Sequence, residues 1–197
     1  MPDNLEGNAG YDDSLKINEA LQIYFARYHF KNGGYDLKWF TIKMGPVYFP
    51  LPNIKSRVDA VKIHDIHHLV TGYEANMKGE VEIGGWEIAS GCGKYAAAWL
   101  LNFGSFFYGM LFYQKPLLRA FLNGRKCATN LYYNVTYDDN LLNTPLGEVK
   151  KRVGTNRQSV KNAVSDYLLF AFYCFLLFAL AILFLAVPAG LIVQWLT

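Results

Sequence analysis

The sequence predicts an all-α protein: a helical bundle domain followed by a C-terminal transmembrane helix. Two observations carry that expectation. Apolar residues recur at helical spacing in several segments, each closed by glycine or proline. From Tyr167 to Thr197 there is no charged residue and no histidine, a run of 31 residues in a chain of 197. Tyr167 to Val187 alone supplies 21 consecutive apolar residues, and about 20 cross a bilayer core.

The elements follow in chain order. Residues 1–13 are acidic and lack an apolar run, which predicts a mobile lead and neither a secretory signal nor an Arg-rich transit peptide. Residues 14–30 place Ile17, Leu21, Tyr24, Phe25 and Tyr28 on one helical face, and "KNGG" (31–34) stops that helix. Residues 35–53 are aromatic and broken by Pro46, Pro50 and Pro52, which predicts turns or short extended pieces. Helices are expected at about 55–70 and 79–90, the second ended by Gly91 and Gly93. Residues 95–114 carry no charge, but Asn102, Gly104, Ser105 and Gly109 interrupt them, so a core or membrane-lying helix is expected rather than a span. A further helix from Lys115 should end at Asn123-Gly124, and another should start with Thr144 as cap and Pro145 as first helical residue. The domain division is therefore 1–13, a helical domain at 14–165, and a membrane anchor at 166–197.

Charge narrows the function classes. The formal net charge is +3. Glu148 to Asp166 holds five cations (Lys150, Lys151, Arg152, Arg157, Lys161) against two anions and accounts for all of it. Such a local excess argues against a nucleic-acid face. Beside an apolar segment it fits an anionic membrane surface and predicts a cytoplasmic domain by the positive-inside rule, most simply at a bacterial inner membrane. Cys92, Cys127 and Cys174 form no CxxC pair, so neither a disulfide framework nor a cysteine zinc site is expected.

Residues 62–87 concentrate the chemistry. His64, Asp65 and His68 share one helical arc, with His68 about 40° and Asp65 about 100° from His64, while His67 lies about 60° to the other side. Two imidazoles at i and i+4 with a carboxylate can converge on one ion. Glu80 opens the next helix and Glu87 lies about 20° from it on the same face, an additional or supporting ligand, whereas Glu82 points away. Two imidazoles with carboxylates suit zinc first, with iron, manganese or cobalt as alternatives, and suit copper(I) poorly. The reading without a metal is a solvated helix with chance histidines. An HExxH peptidase is excluded, because Asp65 stands where its glutamate would be.

His64-Asp65-x-x-His68-x11-Glu80, "NMKGE" (76–80), "WE" (86–87) and "NGRK…NLYY" (123–133) together resemble, in order, the motifs of the ubiquinone (coenzyme Q) biosynthesis protein Coq-four family. The resemblance covers residues from about 55 to 154; residues 1–50 carry no match, and the apolar tail is not typical of the family. It implies a divergent, membrane-anchored relative. Carried over, His64, Asp65, His68 and Glu80 become metal ligands in the oxidative decarboxylation and hydroxylation of a prenylated aromatic acid, with other quinone-biosynthesis proteins as partners. Trp99, Phe103 and Tyr113 would then line a groove for the isoprenoid tail, and Arg125 would meet the substrate carboxylate or a protein one. Two other readings compete. One is a non-catalytic, membrane-anchored lipid-binding or assembly factor. The other is an HD-type phosphohydrolase using His29, His64-Asp65 and Asp138 or Asp139.

Overall fold

The computed structural model describes residues 10–44, 47–155 and 163–196. Its helices are α1 (Ile17–Arg27), α2 (Lys55–Thr71), α3 (Met77–Ser90), α4 (Ala96–Phe112), α5 (Gln114–Lys126), α6 (Asp139–Leu142), α7 (Leu146–Val153) and α8 (Val164–Leu196). A short 3-10 helix spans Lys31–Gly34. The all-α expectation is met, with one small exception. Residues 35–53, expected as turns or extended pieces, contain an antiparallel hairpin of β1 (Trp39–Met44) and β2 (Val47–Pro52), with Trp39 opposite Pro52 and Met44 opposite Val47. Proline is tolerated in β2 because a two-stranded ribbon has only edge strands.

Two apolar clusters organise the bundle. The first joins α1, α2 and α7 through Ile17, Tyr24, Ile63, Leu69, Val149 and Val153. The second joins α3, α4, α5 and the first half of α8 through Val81, Phe106, Leu117, Phe121 and Leu177. Helix α3 packs most extensively on α5, and one glycine permits it. A Cβ at Gly124 would run into the Trp86 carbonyl oxygen and come within 2.8 Å of Ala89 Cβ. Gly124 thus lies inside α5, which continues to Lys126, instead of ending the helix as the sequence suggested.

Helix ends reveal two further departures. Helix α7 begins one residue later than expected, with Pro145 as its cap residue, while the Thr144 hydroxyl donates to the Asn140 carbonyl. The first free amides of α7, those of Leu146 and Gly147, donate instead to the carbonyls of Leu15 and Asp13 at 2.8 and 2.9 Å, a tertiary substitute for a side-chain cap. Residues 11–13 are consequently bonded to the domain. Asp13 also pairs with Lys150 at 2.7 Å, and Arg27 lies over the Tyr11 ring. The rest of the expected mobile lead, residues 1–9, lies outside the described residues, as do Arg157 and Lys161 of the basic segment.

Helix α4 buries Ala98, Asn102, Phe106 and Gly109 along one face and leaves Leu100, Leu111 and Phe112 exposed; its 17 residues are fewer than the about 20 that cross a bilayer core. Helix α8 runs for 33 residues, and its segment Val164–Leu183 is long and apolar enough to cross a membrane.

Candidate metal centre

Helices α2 and α3 bring the ionisable residues together. Helix α2 lacks a side-chain cap at its start and ends at Gly72, whose φ of 75° closes the helix in the left-handed region just past His68. Helix α3 is started by Asn76, whose side-chain oxygen accepts from the Gly79 amide at 2.9 Å, which fixes the turn carrying Glu80.

His64, His68 and Glu80 offer donor atoms that all lie within 4.8 Å of one another. The Nε2 atoms of His64 and His68 are 3.1 Å apart, and Glu80 approaches each with a different oxygen, both at 3.4 Å. Ligands about 2.0–2.1 Å from a tetrahedral ion stand about 3.3 Å apart, so these separations fit one small cation.

The hydrogen bonds behind the imidazoles set their tautomers. His64 Nδ1–H donates to Glu87 Oε1 at 3.0 Å, and His68 Nδ1–H donates to the Tyr73 carbonyl at 2.9 Å. Both acceptors lack a proton to give, so the Nδ1 protons are committed and Nε2 is the atom of each ring that faces the group. With both rings neutral, two lone pairs and a carboxylate would face one point and repel one another unless a cation or a proton lay between them. The same demand appears in protonation. Burial opposes a charge on His64, but Glu87 and Glu80 outweigh it and hold the imidazole well above its usual range. Glu80 is held well below the usual carboxylate range, because His68 and His64 outweigh the effect of burial.

Glu87 is the supporting residue that the sequence suggested, and it does more than support one ligand. It is fully buried. Oε1 accepts from His64 and, at 2.6 Å, from His67 Nδ1–H; Oε2 accepts from the Asn102 amide at 2.5 Å and the Tyr132 hydroxyl at 3.0 Å. Burial alone would raise its pKa, but His64 and His67 draw it far down, so it stays ionised. His67, set aside by the helical wheel, is thus a structural partner. Its Nε2 accepts from the Leu131 amide at 3.0 Å, its ring packs edge-on to Trp86 and Tyr132, and burial lowers its pKa so that it stays neutral. Glu82 points away as expected and lies 3.7 Å from Lys78.

Asp65 departs from the expected ligand set. Its Oδ2 accepts from the Tyr35 hydroxyl at 2.5 Å, and it is not among the three residues whose donor atoms converge. It sits beside the group rather than in it, and burial, partly offset by His64, raises its pKa to about 6.

The group lies in the wall of a largely apolar cavity of about 1030 Å³, which His64, Asp65, Glu80 and Glu87 share with residues of α4 and the hairpin. Glu80 is the exposed side of the group, its side chain 40% accessible against 1% for His68. The remaining expected site residues are elsewhere. Helix α4 shows the cavity Ala98, Leu101, Asn102, Ser105 and Tyr108. Trp99 and Phe103 stack together and Phe103 meets Tyr173 of α8, while Tyr113 packs in the same cluster, so these three do not line the groove. Arg125 meets a protein carboxylate and not the cavity: its Nε donates to Asp166 at 2.9 Å and a terminal nitrogen to the Ala89 carbonyl. His29 lines the cavity but is not in the metal group, and Asp138 is the cap of α6, accepting from the Leu141 amide at 3.0 Å. Neither Asp138 nor Asp139 is among the residues that line the cavity with His64 and Asp65.

Comparison with protein-family models, with curated proteins and with solved structures yields no match. The functional reading therefore rests on the site itself. Three protein donors with an accessible edge would leave a bound ion room for a further ligand.

Proposed function

We propose that the protein is a membrane-anchored metalloprotein of the ubiquinone-biosynthesis type, acting on a prenylated aromatic acid drawn from the bilayer. The observation that supports this reading most is the convergence of two imidazole lone pairs and a carboxylate on the wall of a large apolar cavity. His64, His68 and Glu80 would hold a divalent ion, with zinc the best fit to two nitrogens and a carboxylate oxygen. Such an ion supplies Lewis-acid polarisation of a substrate carboxylate or activation of a water molecule. Zinc does not change oxidation state, so an oxidative step draws on a second reactant.

The chain's own residues supply the rest. Glu87 orients His64, and the Tyr73 carbonyl orients His68. Asp65, fixed by Tyr35, stands beside the group as a carboxylate able to hold a proton. Val81, Leu101 and Phe40 give the cavity an apolar wall that suits an isoprenoid chain and sheds water. The volume lies at the upper end of the usual range for ligand sites, about 300–1,000 Å³. The basic excess before α8 supports a domain on the cytoplasmic side of a bacterial inner membrane, where other quinone-biosynthesis proteins would be its partners.

Purification from membranes in detergent tests the reading, with elemental analysis and mass spectrometry of bound lipid. A stoichiometric divalent metal and a prenylated aromatic acid are expected; a metal-free protein refutes it. In a strain lacking its own quinone-forming enzyme, the native chain should restore synthesis and His64→Ala or Glu80→Ala should not. Rescue by either variant would leave the non-catalytic lipid-binding or assembly role as the correct one.

A further inference from the structure

Residues 31–57 are unusual in both charge and exposure. Five cations (Lys31, Lys38, Lys43, Lys55, Arg57) stand against Asp36 alone. These residues form the 3-10 helix, the hairpin and the first turn of α2. Lys31 and Lys38 are exposed and have no carboxylate partner among the described residues. Lys55 pairs with Asp59 at 2.6 Å, but both side chains are in solvent, where such a pair is weak. Arg57 has no ion pair among the described residues either. One terminal nitrogen donates to Asn53 Oδ1 at 2.7 Å, its guanidinium lies 3.6 Å from the centre of the Phe40 ring, and Nε is buried without a partner.

The hairpin register sorts the apolar side chains. Phe40 and Leu51 are paired and both line the cavity. Trp39 belongs to the opposite face and is 62% exposed; Tyr48 is 60% exposed, and Leu37 and Ile54, which flank the ribbon, are each 56% exposed. Large apolar side chains set among unneutralised cations are the composition of a surface that meets an anionic bilayer: tryptophan and tyrosine favour the headgroup level, and lysine and arginine the lipid phosphates.

We propose that the hairpin is a second membrane contact, separate from α8, which docks on an anionic bilayer surface. Trp39 and Ile54 enter the boundary between headgroups and acyl chains and Lys38 meets lipid phosphates, while Leu37, Lys31 and Arg57, which also line the cavity, stand at its rim against the bilayer surface. The cavity-facing side of the same ribbon is a wall of the cavity, so docking lays the cavity's edge on the bilayer and lets an amphiphile pass from membrane to metal group without crossing water. The inference rests on α8 holding the domain at a membrane and needs neither the metal nor the quinone reading.

The test uses the full chain in nanodiscs, either zwitterionic or containing about one part in four phosphatidylglycerol, with or without lipids brominated near the headgroup. Subtracting the emission of a Trp39→Phe variant isolates Trp39. In anionic discs the Trp39 emission should fall about two-fold on brominated lipid, and a Lys31→Glu/Lys38→Glu variant should lose that quenching. Both variants should melt like the native chain in detergent, which shows that the fold is intact. Trp39 emission indifferent to brominated lipid overturns the proposal, as does quenching that survives charge reversal. Shielding of Trp39 that instead rises with the number of chains per disc assigns the surface to a second copy and likewise overturns it. Metal content of the same samples reports on the metal centre independently.

Discussion

Replacing Glu87 with glutamine preserves the shape of the side chain and removes its charge, which isolates the role of the buried carboxylate. In the native protein, Oε1 takes protons from His64 and His67 and Oε2 takes them from Asn102 and Tyr132. Glutamine keeps one acceptor for the two imidazoles but turns the other oxygen into an amide that faces two donors. Charge-assisted bonds contribute about 1.5–3 kcal/mol and neutral ones about 0.5–1.5. Downgrading the two imidazole bonds alone costs about 2 kcal/mol of stability. His64 also becomes a poorer ligand, because its Nδ1–H no longer leans on a negative charge. Loss of such an outer partner typically weakens metal binding 10- to 100-fold, or by about 1.4–2.7 kcal/mol. Competition with a chromophoric chelator measures the affinity and thermal melting measures the stability, with Glu82→Gln as the control for a carboxylate that faces away. An affinity for zinc unchanged in Glu87→Gln would refute the role of the Glu87 charge in strengthening His64 as a ligand.

Three other predictions use the same protein. Burial raises the Asp65 pKa from the usual 3.8 to about 6, so the folded state binds the proton more tightly; its stabilising contribution is complete below about pH 4 and is lost as pH rises through about 6. At neutral pH this carboxylate costs roughly 2–3 kcal/mol, and Asp65→Asn should raise the denaturation midpoint of chelator-treated protein at pH 7 but not below pH 4. Because His64 holds its proton well above the usual imidazole range, zinc binding must displace that proton. Calorimetry in buffers of different ionisation enthalpy should register proton release at neutral pH, and the apparent affinity should fall on acidification. Gly124→Ala should cost about 1–3 kcal/mol, read as a lower melting temperature with helix content unchanged, since the new methyl meets Trp86 and Ala89.

Local patterns in the sequence reveal local features of this fold. The i, i+4 spacing of His64 and His68 puts both on one arc, and the same arithmetic finds Glu80, Glu87 and the outward Glu82. The helical tail and most helices follow from periodicity and breakers. What stayed hidden depends on partners distant in the chain. His67 reads as off-axis until Glu87 and the Leu131 amide are brought to it. Asn102 reads as a flaw in an apolar helix, yet it is the amide that completes Glu87. The groove face of α4 was assigned to Trp99, Phe103 and Tyr113 because aromatic residues suit a lipid chain. In the fold Phe103 meets Tyr173 of α8, and Trp99 and Tyr113 pack in the same apolar cluster, away from the cavity. Pro50 and Pro52 look like strand breakers, but each strand of a two-stranded ribbon bonds on one side only; the Asn53 amide donates to the Lys38 carbonyl, so the alternating nitrogens of Pro52 and Pro50 face the open side.

Helix α8 does not hang below the domain on a linker. Arg125 clasps Asp166 at its start, and Leu169, Phe170, Tyr173 and Leu177 are packed among side chains of α4 and α5. At 33 residues the helix is about 50 Å long, more than the about 30 Å of a bilayer core. A helix so packed would carry the domain with it in a bilayer, so that any tilt of the helix in the lipid would turn the whole domain. The bilayer's thickness would then set the angle at which the cavity meets its surface, and lipid composition would act on the protein as a mechanical input.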